Sequence, residues 1–203
     1  MDYKPTKGRY IEALLRSPKT VFTIRDVALL WGEKAGNAVR VRLSQYARTG
    51  KLIRVRRGIY VKDKNYNRSE LAMRIYTPSY ISFETVLTRT GINFQYYKTI
   101  FVASYVTRNI EVDGQNISFV KMKDYVLSNT MGIEHADGTA TATKERAILD
   151  RIYVSKDYHF DNLRSVDWEK IFEILPIYHS KRMNKKVATY FEHYKNDAGL
   201  RKT

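Results

Sequence analysis

The sequence predicts an α+β protein in two domains, and three observations carry that prediction. Basic residues crowd the first third of the chain. In the same stretch, apolar residues recur at helical spacing ahead of a glycine-broken basic hairpin. Beyond it lie capped helices and Asp-Gly turns of the kind that close antiparallel hairpins. The expected division is residues 1–68 and 69–203, the second domain holding a small antiparallel sheet followed by C-terminal helices.

The 203 residues, 43% of them hydrophobic, suffice for a core in each part. No apolar run approaches the roughly 18 residues of a membrane span. The opening MDYKPTKGRY lacks the hydrophobic segment of a signal peptide. A cytoplasmic protein without a membrane partner is therefore expected. The chain has no cysteine, which excludes disulfides, cysteine zinc sites and thiolate nucleophiles.

Charge is the most informative bulk property. The net is +15, and residues 1–68 hold 17 basic and 5 acidic residues, against 19 and 16 in the rest. A positive field concentrated in one segment is the footprint of a polyanion partner.

The elements follow in order. KGRYIEALLRS gives a helix over about 7–16, with Tyr10, Ile11, Leu14 and Leu15 on one side and Pro18 beyond its end. Thr23 and Asp26 form a variant capping box for a second helix that buries Ile24, Val27, Leu30 and Trp31 and stops at Gly32. A third helix, about 37–49, closes at Gly50. At 100° per residue, Val39, Leu43, Tyr46 and Ala47 face the core. The opposite side carries Asn37, Val41, Ser44, Gln45 and Arg48, flanked by Arg40 and Arg42, with no acidic residue. The following KLIRVRRGIYVK is a hairpin bearing Lys51, Arg54, Arg56 and Arg57 around Gly58.

Helix, helix, turn, basic helix and basic hairpin is the order of a winged helix-turn-helix. Double-stranded DNA is the expected partner. Asn37, Ser44 and Gln45 are placed to read bases, and Arg56 and Arg57 at the wing tip to hold phosphates.

KDKNYNRSE reads as a linker. In TPSYISFETVLTRTGI, Pro78 precedes an extended Tyr80 and Ile81, and Ser82 is expected to cap a short helix with Phe83, Val86 and Leu87 that ends before Gly91. KTIFVAS is a buried strand. Asp113-Gly114 and Asp137-Gly138 each close a hairpin. Thr143 caps the helix TKERAILDRIY, where Arg146 and Asp150 stand four apart. Glu145, Arg146 and Asp150 fix that helix to the sheet if buried and mark a functional surface if exposed. Asp167 caps a helix with Trp168, Ile171, Phe172 and Leu175 that Pro176 stops, and a last helix spans about 180–195. Tyr96, Tyr97, Tyr158, Tyr178, Tyr190 and Tyr194 are candidates for a protein interface.

No catalytic chemistry is expected. His135, His159, His179 and His193 never fall at a helical ligand spacing. Glu134, Asp137, Lys144 and Glu145, a set with the residue types of a nuclease, are better explained by turns and a helix start. The chain contains no phosphate loop, GxSxG or HExxH motif, so neither metal nor cofactor is expected.

RVRRGIYV, PSYISFETVLTRTGI and TKERAILD, taken together over about residues 10–155, resemble the AbiEi family of antitoxins. The resemblance rests on Val55, Arg57, Gly58, Tyr60 and Val61, then on Pro78, Tyr80, Ser82, Leu87 and Gly91, then on Glu145, Arg146, Leu149 and Asp150. It implies a type IV toxin-antitoxin system. The winged helix would repress its own operon through inverted repeats in the promoter, and the second domain would counteract a nucleotidyltransferase-like toxin. The match is weakest over 160–203. A solitary winged-helix regulator is the alternative reading, and a DNA-processing enzyme the third.

Overall fold

The computed structural model of the chain describes residues 9–197. It divides into two compact units, the first comprising 1–75 with 112–114 and the second 76–111 with 115–203. Each is a mixture of helices and sheet.

The first unit begins with α1 (Tyr10–Arg16), β1 (Val21–Thr23) and α2 (Ile24–Trp31). The Thr23 hydroxyl accepts from the Asp26 backbone N–H while the Asp26 carboxylate accepts from the Thr23 N–H, so the predicted capping box is complete. Gly32, at φ 65°, ends α2 in the left-handed conformation. α3 (Asn37–Arg48) follows, then the hairpin β2 (Ile53–Arg56) and β3 (Ile59–Val61). β3 lies between β1 and β2 in an antiparallel sheet of three strands. Tyr10, Leu14, Phe22, Val27, Trp31, Val39, Leu43, Leu52 and Tyr60 make one core that joins the three helices to this sheet.

The stretch read as a linker ends in the first turn of a helix, α4 (Arg68–Ile75), grouped with the first unit. Its buried Glu70 carboxylate accepts from the Thr20 N–H at 2.9 Å, the Thr20 hydroxyl at 2.7 Å and the Val21 N–H at 3.3 Å. A carboxylate gathering donors just ahead of β1 makes α4 part of this unit rather than a tether.

The second unit departs from the small antiparallel sheet expected of it. Its sheet has six strands in the order β6-β7-β5-β4-β9-β8. These are β4 (Ser79–Ile81), β5 (Ile100–Ser104), β6 (Arg108–Val112), β7 (Gln115–Lys121), β8 (Ile133–Ala136) and β9 (Thr139–Ala142). The sheet is mixed, because β5 pairs parallel with β7 and β4 parallel with β9. The two Asp-Gly turns do close hairpins, with Asp113, Gly114, Asp137 and Gly138 all at positive φ as a type I′ turn demands.

Helices α5 (Glu84–Arg89), α6 (Asp124–Leu127), α7 (Lys144–Val154), α8 (Trp168–Ile174) and α9 (Lys181–Asp197) complete the unit, with a 3-10 turn at Leu175–Tyr178. α7 is its central helix: Ala147, Ile148, Leu149 and Ile152 are buried together with Glu145, Arg146 and Asp150. Among the described residues no helix is long and apolar enough to cross a membrane.

Candidate nucleic-acid interface

Core packing decides which way α3 faces. Val39 and Leu43 are fully buried, which turns Asn37, Ala38, Arg40, Val41, Gln45 and Arg48 outward. Ser44 is half-buried at the edge of that face. Val41, 56% exposed, lies diametrically opposite the buried stripe. No acidic residue stands in the first turn of the helix or elsewhere on it.

Arg42, expected on the flank of this face, is held inside the fold instead. Its guanidinium carbon lies 4.2 Å from the centre of the Tyr10 ring and 5.2 Å from that of Trp31. Nη1 is 3.3 Å from each carboxylate oxygen of Glu33, which also accepts a hydrogen bond from the Tyr10 hydroxyl. That hydrogen bond, together with burial, raises the Tyr10 pKa above its ordinary value. Arg42 thus ties the start of α1 to the residues just beyond α2.

The other basic side chains are differently placed. Among the described residues, the side chains of Arg40, Arg48, Arg54, Arg56 and Arg57 have no hydrogen bond, ion pair or ring contact. Arg40, Arg48, Arg54 and Arg57 are exposed and Arg56 is half-buried. Exposed Lys51 has only a distant approach to the Tyr46 ring, 5.9 Å from its centre. In the hairpin, Arg56 pairs with Ile59, leaving Arg57 and Gly58 as the turn. Gly58 sits at φ 79°, where an L side chain is strained, and a Cβ there would lie 3.6 Å from Ile24 Cδ1. A register shift between Arg54 and Arg56 marks a bulge at Val55, which sharpens the local twist of the strand.

Three acids of this unit are engaged away from these groups. Asp26 bonds Lys19 at 2.6 Å and caps α2, Glu33 holds Arg42, and Glu70 holds the Thr20 backbone. Unpaired guanidinium groups on a helix face without acids and on a neighbouring hairpin are suited to gripping a polyanion.

The second set of predicted residues separates into structural parts. Arg146, Asp150, Ser82 and Tyr80 are buried and joined. Arg146 Nε is 3.2 Å from Asp150 Oδ1, the Ser82 hydroxyl donates to Asp150 Oδ2 at 2.7 Å, and the Tyr80 hydroxyl donates to both Asp150 oxygens. Tyr178 completes the group, donating to Oδ1 at 2.7 Å. Sequence reasoning missed its part, since nothing local ties a tyrosine in the 3-10 turn to α7. The remaining Arg146 N–H groups donate to the Tyr80 hydroxyl and to the carbonyls of Met131 and Val126. Burial pushes the Asp150 carboxyl up, opposed by Arg146 and the donating hydroxyls.

Ser82 therefore does not cap α5. Phe83 occupies that position at φ 54°, which leaves the serine hydroxyl for the aspartate. Glu145 accepts from the Asp167 N–H at 3.2 Å and so links α7 to the start of α8. Gly91 turns at φ 69° directly after α5, and Pro78 is exposed after a cis peptide bond.

Of the nuclease-like set, Glu134, Lys144 and Glu145 line one cleft together with Asp167 and Lys170. Lys144 donates to the Ser165 carbonyl, Glu145 is bonded as described, and Asp137 forms a turn. Among the described residues no three His, Asp or Glu side chains come together to hold an ion.

The loop after α5 displays Phe94 and Tyr96, 72% and 76% exposed. Phe94, Phe160, Tyr190 and Tyr194 line an open cleft of about 790 Å³ in the second unit. Of the tyrosines considered for an interface, Tyr178 is in the core and Tyr158 is half-buried against Glu84 and Arg151.

No family model matches the chain, and no curated protein matches it.

Proposed function

We propose that this protein is a sequence-specific DNA-binding transcriptional repressor whose first unit is a winged helix-turn-helix. α2 and α3 form the helix-turn-helix, α3 enters the major groove, and the β2–β3 hairpin is the wing. One observation carries the reading. Arg40 and Arg48 on α3 and Arg54, Arg56 and Arg57 on the hairpin are free of internal partners among the described residues, on a helix without acids. Charges left unpaired and gathered on adjoining elements favour an external anion. Exposed Asn37 and Gln45, with Ser44 beside them, offer amide and hydroxyl groups that discriminate bases, which makes specific duplex a better partner than a general polyanion.

Selection of bound sequences from a random duplex pool, using the full chain, tests the proposal. Enrichment of an inverted repeat is the expected result. A pool that stays random after repeated rounds would reduce the protein to a non-specific binder at most.

The resemblance to AbiEi antitoxins adds a second role, counteracting a nucleotidyltransferase-like toxin from a cytoplasmic operon. What supports it is the exposure of Phe94 and Tyr96 on the second unit, since aromatic side chains are enriched in protein interfaces. The motif residues Tyr80, Ser82, Arg146 and Asp150 are buried, so any such surface is built from other side chains that this network holds in place.

A further inference from the structure

The residue that points most directly away from the core on α3 is a valine. Asn37, Ser44, Gln45 and Arg48 surround Val41 at the spacings of neighbouring turns, and Ala38, one turn before it, is exposed as well. The folded chain gains nothing from this arrangement. A β-branched side chain is a mediocre helix former, and at 56% exposure it buries little apolar surface. At the centre of a polar face, a serine or lysine would serve solubility better.

On the DNA-binding reading above, such a position has a specific use. The floor of the major groove offers hydrogen-bonding atoms at every base pair but only one apolar group, the C5 methyl of thymine. A small branched side chain flanked by polar groups matches that feature, because it packs against the methyl while its neighbours bond the adjacent base edges. Arginines on the flank and hairpin cannot make this distinction, since they contact the uniform backbone.

We infer that Val41, with Ala38 beside it, is a specificity-determining residue that reads a thymine methyl in each half-site of the operator. The inference rests on the DNA-binding reading and adds a base identity to it. Recognition at this position is by apolar contact, so 5-methylcytosine on the same strand should substitute for thymine in part, while uracil should not.

The test uses the full chain and the duplex enriched from a random pool. Each thymine in that duplex is replaced in turn by deoxyuridine, which removes one methyl and leaves every hydrogen-bonding atom in place. At one thymine in each half-site the replacement should weaken binding by about fourfold, the worth of one buried methyl. With Val41→Ala the same replacement should have little effect. Because Val41 is exposed, the variant should fold, and an unchanged thermal unfolding midpoint reports that it has. The inference fails if no thymine is sensitive to loss of its methyl, or if the sensitivity persists undiminished in Val41→Ala. Failure of the full chain to bind duplex at all would instead overturn the underlying reading, and this inference with it.

Discussion

The guanidinium of Arg42 lies over the ring of Tyr10, 4.2 Å from its centre, while Glu33 holds its Nη1 at 3.3 Å. Two residues earlier, Arg40 is exposed and free of partners among the described residues. The same residue type on one helix is thus held in the fold at one position and left free at the other. Removing Arg42 should cost stability, about 1 kcal/mol from the lost cation–π contact and ion pair. Removing Arg40 or Arg48 should leave stability within about 0.5 kcal/mol. Thermal unfolding of Arg42→Ala, Arg40→Ala and Arg48→Ala measures the contrast, and equal midpoints for all three would contradict it.

Asp26 links the fold of the first unit to pH. Burial works against its ionisation, but hydrogen bonds from Lys19 and Thr23 and the charge of Arg74 outweigh that penalty and hold the carboxyl below its ordinary value. A depressed folded pKa contributes stability that is present above the unfolded value of about 3.9 and is lost as pH falls through the folded one. Asp26→Ala should therefore destabilise the protein by about 1–2 kcal/mol at neutral pH, through the lost cap and ion pair. The gap from the unaltered protein should close progressively below about pH 3.9. Denaturant titrations across that range would show it, and a gap independent of pH would argue against the ionised cap.

The buried pair in the second unit should behave unlike either. Asp150→Asn or Arg146→Met leaves the opposite partner without its counter-charge among groups fully removed from water, at a cost of about 3–5 kcal/mol. Tyr178→Phe, which removes one donor to Asp150, should cost less, about 1–3 kcal/mol. Chemical denaturation of the three variants checks the order.

If the protein counteracts a toxin, the proposed DNA face should be dispensable for it. Replacing Arg40, Arg48, Arg56 and Arg57 together by alanine alters only the first unit. Growth of cells expressing the nucleotidyltransferase-like toxin should still be rescued, while repression of the operon promoter is lost. Loss of rescue in this variant, at equal protein level, would place part of the neutralising surface on the helix and hairpin.

Features written in local sequence were readable, and those set by distant pairing were not. Thr23 and Asp26 stand three apart and satisfy one another, so the cap could be read directly. The Asp-Gly turns and the Thr143 and Asp167 caps are equally local. The parallel pairing of Ile81 with Thr141 leaves no local mark, which is why a six-stranded mixed sheet looked like a small antiparallel one. α4 was hidden for a similar reason. Its polar sequence resembles a linker until Glu70 is seen to collect the Thr20 donors. On α3 the pattern placed Arg42 on the flank, and only contacts outside the helix, to Tyr10 and Glu33, turn it inward.

In the proposed complex with duplex DNA, the free arginines of α3 and the hairpin grip phosphates. The most direct test is the salt dependence of duplex binding by the full chain and by the Arg40→Ala, Arg48→Ala, Arg56→Ala, Arg57→Ala variant. Each lost phosphate contact should lower the slope of log affinity against log salt by about 0.9, so the variant should bind more weakly and with a clearly shallower slope. A slope and affinity equal to those of the unaltered protein would contradict the claim and move any DNA contact off this face.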